Sequence, residues 1–317
     1  MLAQLAELRA YEGDGHPPWA ELWFDGGVDT TLTPRVGPFV RAAFPSALCH
    51  SCLNFTQAAP GIGVGLRWMG NEEGAMPLPS WGASSPVNTG GGDPTAPLFL
   101  PPSCDTVLEE HFWFYQDGDT AKLRSTCSLV NVYLTSVGRA ANLILNLAPS
   151  PSGALQPQEV AAYRALGEGV ACLWSSPLAS WAAVDVDLAT GVAALPLPGA
   201  PLPCAGAAAG GCVLTLVLQE DLAATGQRVG AWAVEARVGG AWVPISPPNP
   251  NAMVGMGHKR IVALRVAASF DALRVVVATA YTARGDAAAP SAFAAAALFD
   301  RASNAACLPA GCKLTDY

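Results

Sequence analysis

Charge, and positive charge above all, is what this chain has least of. Only 13% of its 317 residues are charged, with 17 basic against 25 acidic side chains and a net charge of −8. A reader of phosphate backbones needs a basic footprint, so this balance argues against nucleic acid as a partner. Long apolar runs are absent too. Nothing approaches the roughly 20 residues that cross a bilayer, and the stretch Ala292 to Phe299 is short and alanine-rich. No membrane partner is expected.

Histidine is scarce as well, with four in the chain. Cys49-His50-Ser51-Cys52 has CxxC spacing, but no second pair follows at zinc-ribbon distance, so no metal site is expected. Gly61-Ile62-Gly63-Val64-Gly65 lacks the strand–turn–helix context and trailing acid of a dinucleotide loop. A GxSxG elbow and a Walker loop are both missing. These absences leave no cofactor to expect.

What is present is a globular composition, 51% hydrophobic, and enough length for one large domain or two ordinary ones. Nine cysteines are many for a reducing compartment and an odd number for full pairing. Cys204 with Cys212, and Cys307 with Cys312, are near enough in sequence to close small loops, though spacing leaves the pairing open. Asn54-Phe55-Thr56 is a glycosylation sequon. Together these features tilt towards an extracellular or a lysosomal or vacuolar location, although no signal peptide is visible. The opening segment spaces Leu2, Leu5 and Leu8 as an amphipathic helix does. A start directly in a helix points to missing chain ahead of it.

Glu21-Leu22-Trp23-Phe24-Asp25 is a short apolar run that ends in an acid and two glycines, as a buried parallel strand does when it delivers a polar group at its C-terminal edge. Residues 140–147 read the same way, and residues 123–137 have helical spacing between them. Beyond Pro149 a Pro/Ser/Gly segment leads to a helix over 157–166. Strands are then expected near 181–188, 213–219, 231–238, 241–245, 260–266 and 273–279, with Gly239-Gly240 as a two-residue hairpin turn. Residues 195–212, full of Pro, Gly and Ala, read as a loop. The chain therefore divides near residue 168, into an α/β part over 1–168 and an all-β part over 169–317.

Four blocks in order resemble the α-L-fucosidases of glycoside hydrolase family 29. They are Glu21 to Gly26; Leu66-Arg67-Trp68-Met69-Gly70-Asn71-Glu72-Glu73-Gly74; Pro101 to Tyr115 continuing to Leu147; and residues 218–222, 226–229 and 257–261. The resemblance implies the C-terminal part of a (β/α)8-like barrel followed by an antiparallel β-sandwich, N-terminally incomplete. In that family the nucleophile strand lies near mid-barrel, whereas here it begins about twenty residues in. It also implies a retaining exo-hydrolase releasing terminal α-L-fucose from a fucosylated glycan or oligosaccharide, with an α-1,3/1,4 preference close to the plant-like members. The alternative is an inactive or truncated homologue that at most binds carbohydrate.

By the same resemblance Asp25 is the nucleophile and Glu72 the acid/base, with a pKa raised by burial or by Asp25. The other position the family uses for the acid matches Ser103, and a serine closes that option. Trp68, Asn71 and Trp113 are candidate sugar contacts, with ordinary packing as the competing role. Arg139 and Asn142 read as structural, His111 and His258 as packing or surface residues. Gln116 stands where the family often has a histidine.

Overall fold

The computed structural model describes the chain apart from residues 52–64, 85–90, 97, 118–121, 200, 203–210, 246, 248, 282–291 and 316–317. Cys52 of the CxxC pair, the Asn54 sequon, residues 61–64 of the glycine run and Cys204 lie outside the described residues.

The first half alternates helices with short strands: α1 (Leu2–Gly13), β1 (Glu21–Trp23), α2 (Thr33–Ala43), β2 (Leu48–His50), β3 (Arg67–Trp68), β4 (Ala83–Ser84), β5 (Leu98–Phe99), β6 (Pro102–Thr106), α3 (Thr126–Ser136), β7 (Asn142–Leu145) and α4 (Pro157–Leu173). Local chemistry starts the helices. The Ser125 hydroxyl accepts from the Ser128 N–H at 3.2 Å to cap α3, and Gln156 with Glu159 forms a capping box at α4. β1 pairs with β2 in parallel, and β3, β6 and β7 form a second parallel set in that order. A parallel bridge from Cys49 to Gly65 joins the two sets. Five parallel strands thus stand side by side in chain order, with their C-terminal ends at one edge.

The second half holds β8 (Ala179–Asp185), β9 (Val192–Pro196), β10 (Cys212–Glu220), α5 (Leu222–Thr225), β11 (Trp232–Val238), β12 (Ala241–Pro244), β13 (Arg260–Val266), β14 (Ala272–Val277), β15 (Ala292–Asp300) and α6 (Arg301–Ala305). They make two four-stranded antiparallel sheets, β13-β10-β15-β8 and β12-β11-β14-β9. Leu214, Leu216 and Leu218 of one sheet and Val234, Leu273 and Val275 of the other share one buried core. Gly239 and Gly240 (φ +57° and +85°) form the β11–β12 turn, where two positive φ angles suit glycine.

Several expectations need correction. The residues read as a loop from 195 begin inside β9, and β15 was not expected as a strand at all. β15 is nonetheless interior to its sheet, hydrogen-bonded to both β10 and β8. A register shift opposite Gln219/Glu220 interrupts its alternation and brings Phe293 into the same buried core as Ala296 and Leu298, so pairing on two sides overrides the weak strand preference of alanine. α4 runs to Leu173, and residue 168 falls within it.

Cys307 and Cys312, expected as near neighbours to close a small loop, are not paired with each other. Cys312 is bonded to Cys127 on α3, and Cys307 to Cys172 on α4, across separations of 185 and 135 residues. Cys49 and Cys212 each take part in a disulfide as well. Among the described residues Cys104 is the free thiol; burial pushes it up to about 12, which keeps it protonated.

The two halves meet through the fourth sequence block. The Gln227 amide accepts from the Gly82 N–H at 2.5 Å and donates to the Ser80 carbonyl at 3.1 Å. The Ile261 N–H donates to the Gly138 carbonyl at 2.8 Å. Behind that seam Arg260 is buried, its guanidinium donating to the Ala252 carbonyl at 2.8 Å, and burial pulls it down to about 9.

Candidate active site

Period-two alternation turns Glu21 and Trp23 of β1, Ser103 and Asp105 of β6, and Asn142 and Ile144 of β7 to the same face of the parallel sheet. Register aligns them: Trp23 lies opposite His50, Ser103 opposite Asn142, and Asp105 opposite Ile144. Asn142 donates to Glu21 at 2.5 Å, and the Trp23 indole N–H donates to the same carboxylate. Burial raises Glu21 above its ordinary value, against the pull of these donors. Asn142 is thus a bracing residue, as expected. Arg139 is another: its guanidinium donates to the Met76 carbonyl at 2.7 Å, and its own carbonyl accepts from the Ser80 hydroxyl.

At the C-terminal edge of these strands opens a cleft of about 360 Å³, lined by Trp23, Asp25, Trp68, Glu72, Asp105, Trp113, Phe114, Ile144 and Asn146. These groups come from the ends of four strands, β1, β3, β6 and β7, and from the loops that follow them. Asp25 follows β1 by two residues, in the turn closed by the Gly27 N–H on the Phe24 carbonyl at 2.8 Å. Glu72 follows β3 on a loop pinned at both ends, by the Met69 N–H on Ser103 (3.0 Å) and the Gly74 N–H on Asp105 (2.9 Å). At Gly74 (φ +66°) a Cβ would stand 2.7 Å from Val132, so that anchor needs glycine. Glu72 itself has φ +52°, a conformation that costs about 1–3 kcal/mol and is found at functional sites.

Of the residues picked from sequence, Asp25, Glu72, Trp68 and Trp113 line this one cleft. The Trp113 indole N–H donates to Glu72 at 3.0 Å. Asn71 is not among the lining residues. Its amide donates to the Ala75 carbonyl at 2.8 Å and accepts from the Glu73 N–H at 3.1 Å, so it shapes the loop that carries Glu72. Glu72 is exposed at the cleft mouth. Ser103 is buried beneath the cleft, and Gln116 supports the rim by donating to the Phe114 carbonyl at 3.3 Å. His111 is exposed.

Asp105 and His50 were missed from sequence. Asp105 is 5% exposed and accepts from the Trp68 indole N–H at 2.6 Å. Burial raises its pKa; the Trp68 bond opposes this, and the Glu72 and Asp25 charges add to the rise. His50 stacks on Trp23 with ring centroids 4.4 Å apart and meets Trp68 edge-on at 5.9 Å. Burial lowers its pKa, against the pull of Asp25 and Asp105. No sequence spacing links these residues; the parallel register brings them together. Among the described residues, no group of three or more His, Cys, Asp or Glu is placed to hold a metal.

A set of carboxylates between aromatic walls suits acid–base or nucleophilic work on a polar, ring-shaped ligand with an apolar face. No family model matches the chain. A rice protein (Oryza sativa subsp. japonica), provisionally named alpha-L-fucosidase 1, is 26% identical over 202 residues, 60% of this chain and 37% of its own length. Alpha-L-fucosidase 1 of Arabidopsis thaliana is 26% identical over 141 residues, 41% of this chain and 26% of its own length. The chain thus spans well under half of each curated relative. A glycoside hydrolase 29 family member from an unknown rumen bacterium shares the fold with a TM-score of 0.67 at 20% identity, over 94% of this chain and 54% of that one. In sequence and in fold alike, the chain resembles the α-L-fucosidases of glycoside hydrolase family 29.

Proposed function

We propose that this chain carries the catalytic carboxylates of an α-L-fucosidase that removes terminal α-L-fucose from glycans by a retaining mechanism, with an α-1,3/1,4 preference. The observation that supports this most is the meeting of Asp25 and Glu72, from two separate strand ends, in one aromatic-walled cleft. Asp25 attacks the anomeric carbon while Glu72 protonates the leaving oxygen. Glu72 then takes a proton from water, which displaces Asp25 and restores the original anomeric configuration. Trp23, Trp68 and Trp113 offer faces to the apolar side of the sugar, and the Trp113 N–H orients Glu72.

Catalytic groups at the C-terminal ends of parallel strands suit the last strands of a (β/α)8-like barrel, and the two sheets over a shared core suit a β-sandwich. The division expected near residue 168 falls inside α4, so we place it at the end of that helix, after Leu173. Two disulfides support placing it in an oxidising compartment, extracellular or lysosomal/vacuolar.

The test is turnover of an aryl α-L-fucoside by the wild type, Asp25→Gly and Glu72→Ala, each with and without azide. In the nucleophile variant azide restores turnover and yields the β-fucosyl azide; in the acid/base variant it yields the α-fucosyl azide. Equal background release by all three proteins contradicts the proposal.

A further inference from the structure

Phe114 is 83% exposed, the most exposed large apolar side chain among those described, and it sits on the rim of the cleft. An apolar ring held in water normally relaxes on to neighbouring surface. Here the loop that carries it is braced on both sides. The Asn146 amide donates to the Trp113 carbonyl at 2.8 Å, and Gln116 donates to the Phe114 carbonyl at 3.3 Å. Lower in the loop, the Glu110 N–H donates to the Lys122 carbonyl at 2.9 Å, the Arg124 N–H to the Leu108 carbonyl at 3.0 Å, and the Lys122 ammonium sits 4.4 Å over the Phe112 ring. These anchors hold the backbone from which the Phe114 ring projects.

Its position says which part of a substrate it meets. Trp113, its neighbour, is hydrogen-bonded to Glu72, so the Trp113–Phe114 rim lies on the side of the cleft where the proton is delivered. The group protonated is the leaving oxygen, and whatever that oxygen is bonded to extends past Glu72 over this rim. Asp105 and Trp23 lie deeper, at and below the strand ends.

Resting on the fucosidase reading above, we propose that Phe114 forms a binding site for the leaving group, taking the apolar face of the sugar ring from which fucose is cut. The cleft then selects a saccharide with a second and third ring over an isolated fucose. Phe114 makes no contact with the reacting bond, so its contribution scales with the ring on the leaving side.

The test compares wild type, Phe114→Ala and Phe114→Trp on α-L-fucosyl fluoride, whose leaving group has no ring, and on 3-fucosyllactose. In Phe114→Ala, kcat/KM on 3-fucosyllactose falls roughly tenfold further than on the fluoride, the scale of one lost ring contact. Phe114→Trp restores most of it. Equal losses on both substrates, or none on 3-fucosyllactose, overturn the subsite. Binding is read separately by titrating tryptophan fluorescence with fucose and with 3-fucosyllactose. A protein that prefers the trisaccharide, loses that preference in Phe114→Ala, and cleaves neither substrate contradicts the hydrolase reading while upholding the subsite. Absence of the preference in the wild type overturns the subsite whatever the turnover.

Discussion

At the scale of single residues, Glu72 and Asp25 are exposed side chains held by stiff surroundings, and their proposed roles separate by leaving group. Glu72→Gln should lower kcat on 3-fucosyllactose by about 10²–10⁴-fold and lose far less on an aryl fucoside whose phenol leaves unaided, as read by steady-state kinetics. A similar loss on both would remove Glu72 from the acid role. The place of Asp25 at a strand's C-terminal edge was legible in the sequence, but a turn residue fits an acid before two glycines equally well, and its proposed role came from the family resemblance. Glu72 needed the resemblance. Asp105, His50 and Phe114 were not legible: an aspartate inside a five-residue strand, a histidine between cysteines and a phenylalanine in an aromatic run carry no local mark of a cleft. Asn71 misled for the converse reason. It sits beside the acid in sequence, but its amide closes the loop.

At the scale of elements, the C-terminal segment is tied back to the first half. Cys127–Cys312 links it to α3 and Cys172–Cys307 to α4. The Lys313 carbonyl also accepts from Asn131, and Arg301 donates to the Thr315 carbonyl at 2.9 Å. Replacing Cys172 and Cys307 together by serine should cost about 2–5 kcal/mol, seen as a lower midpoint in denaturant unfolding. An unchanged midpoint would contradict that account. The sequence indicated a disulfide-bearing chain but not these pairs, because loop-closing distance is set by the tertiary fold. β15 was hidden for a related reason. Strand propensity reads side chains, and a run of alanines announces nothing until β10 and β8 flank it. Ala296 is 3% exposed in that strand, so Ala296→Leu should overpack the core by about 1–3 kcal/mol. A midpoint at or above that of the wild type would refute it.

At the scale of the whole molecule, the seam between the halves hangs on Glu220 at the end of β10. Its buried carboxylate accepts from the N–H of Arg228, of Val229 at 2.8 Å and of Gly257 at 3.0 Å, which sets the loop from which Gln227 reaches Ser80 and Gly82. Burial outweighs these donors and raises its pKa above 4.5. A carboxyl raised in the fold binds more protons there than in the unfolded chain. Its contribution to stability is therefore largest below pH 4.5 and declines as pH rises through the raised value. Glu220→Ala should remove that decline from a plot of unfolding midpoint against pH and lower the midpoint throughout, by about 1–3 kcal/mol for the orphaned donors. A retained slope would assign it to another group.

Attack of the Asp25 carboxylate on fucose in this cleft is read out by incubating the protein with 2-deoxy-2-fluoro-α-L-fucosyl fluoride, which slows the second step, and mapping the adduct by peptide mass spectrometry. One fluorofucosyl group is expected, on Asp25, absent from Asp25→Asn and retained in Phe114→Ala. No adduct on the wild type, or an adduct on Glu72 or Asp105, would contradict attack by Asp25.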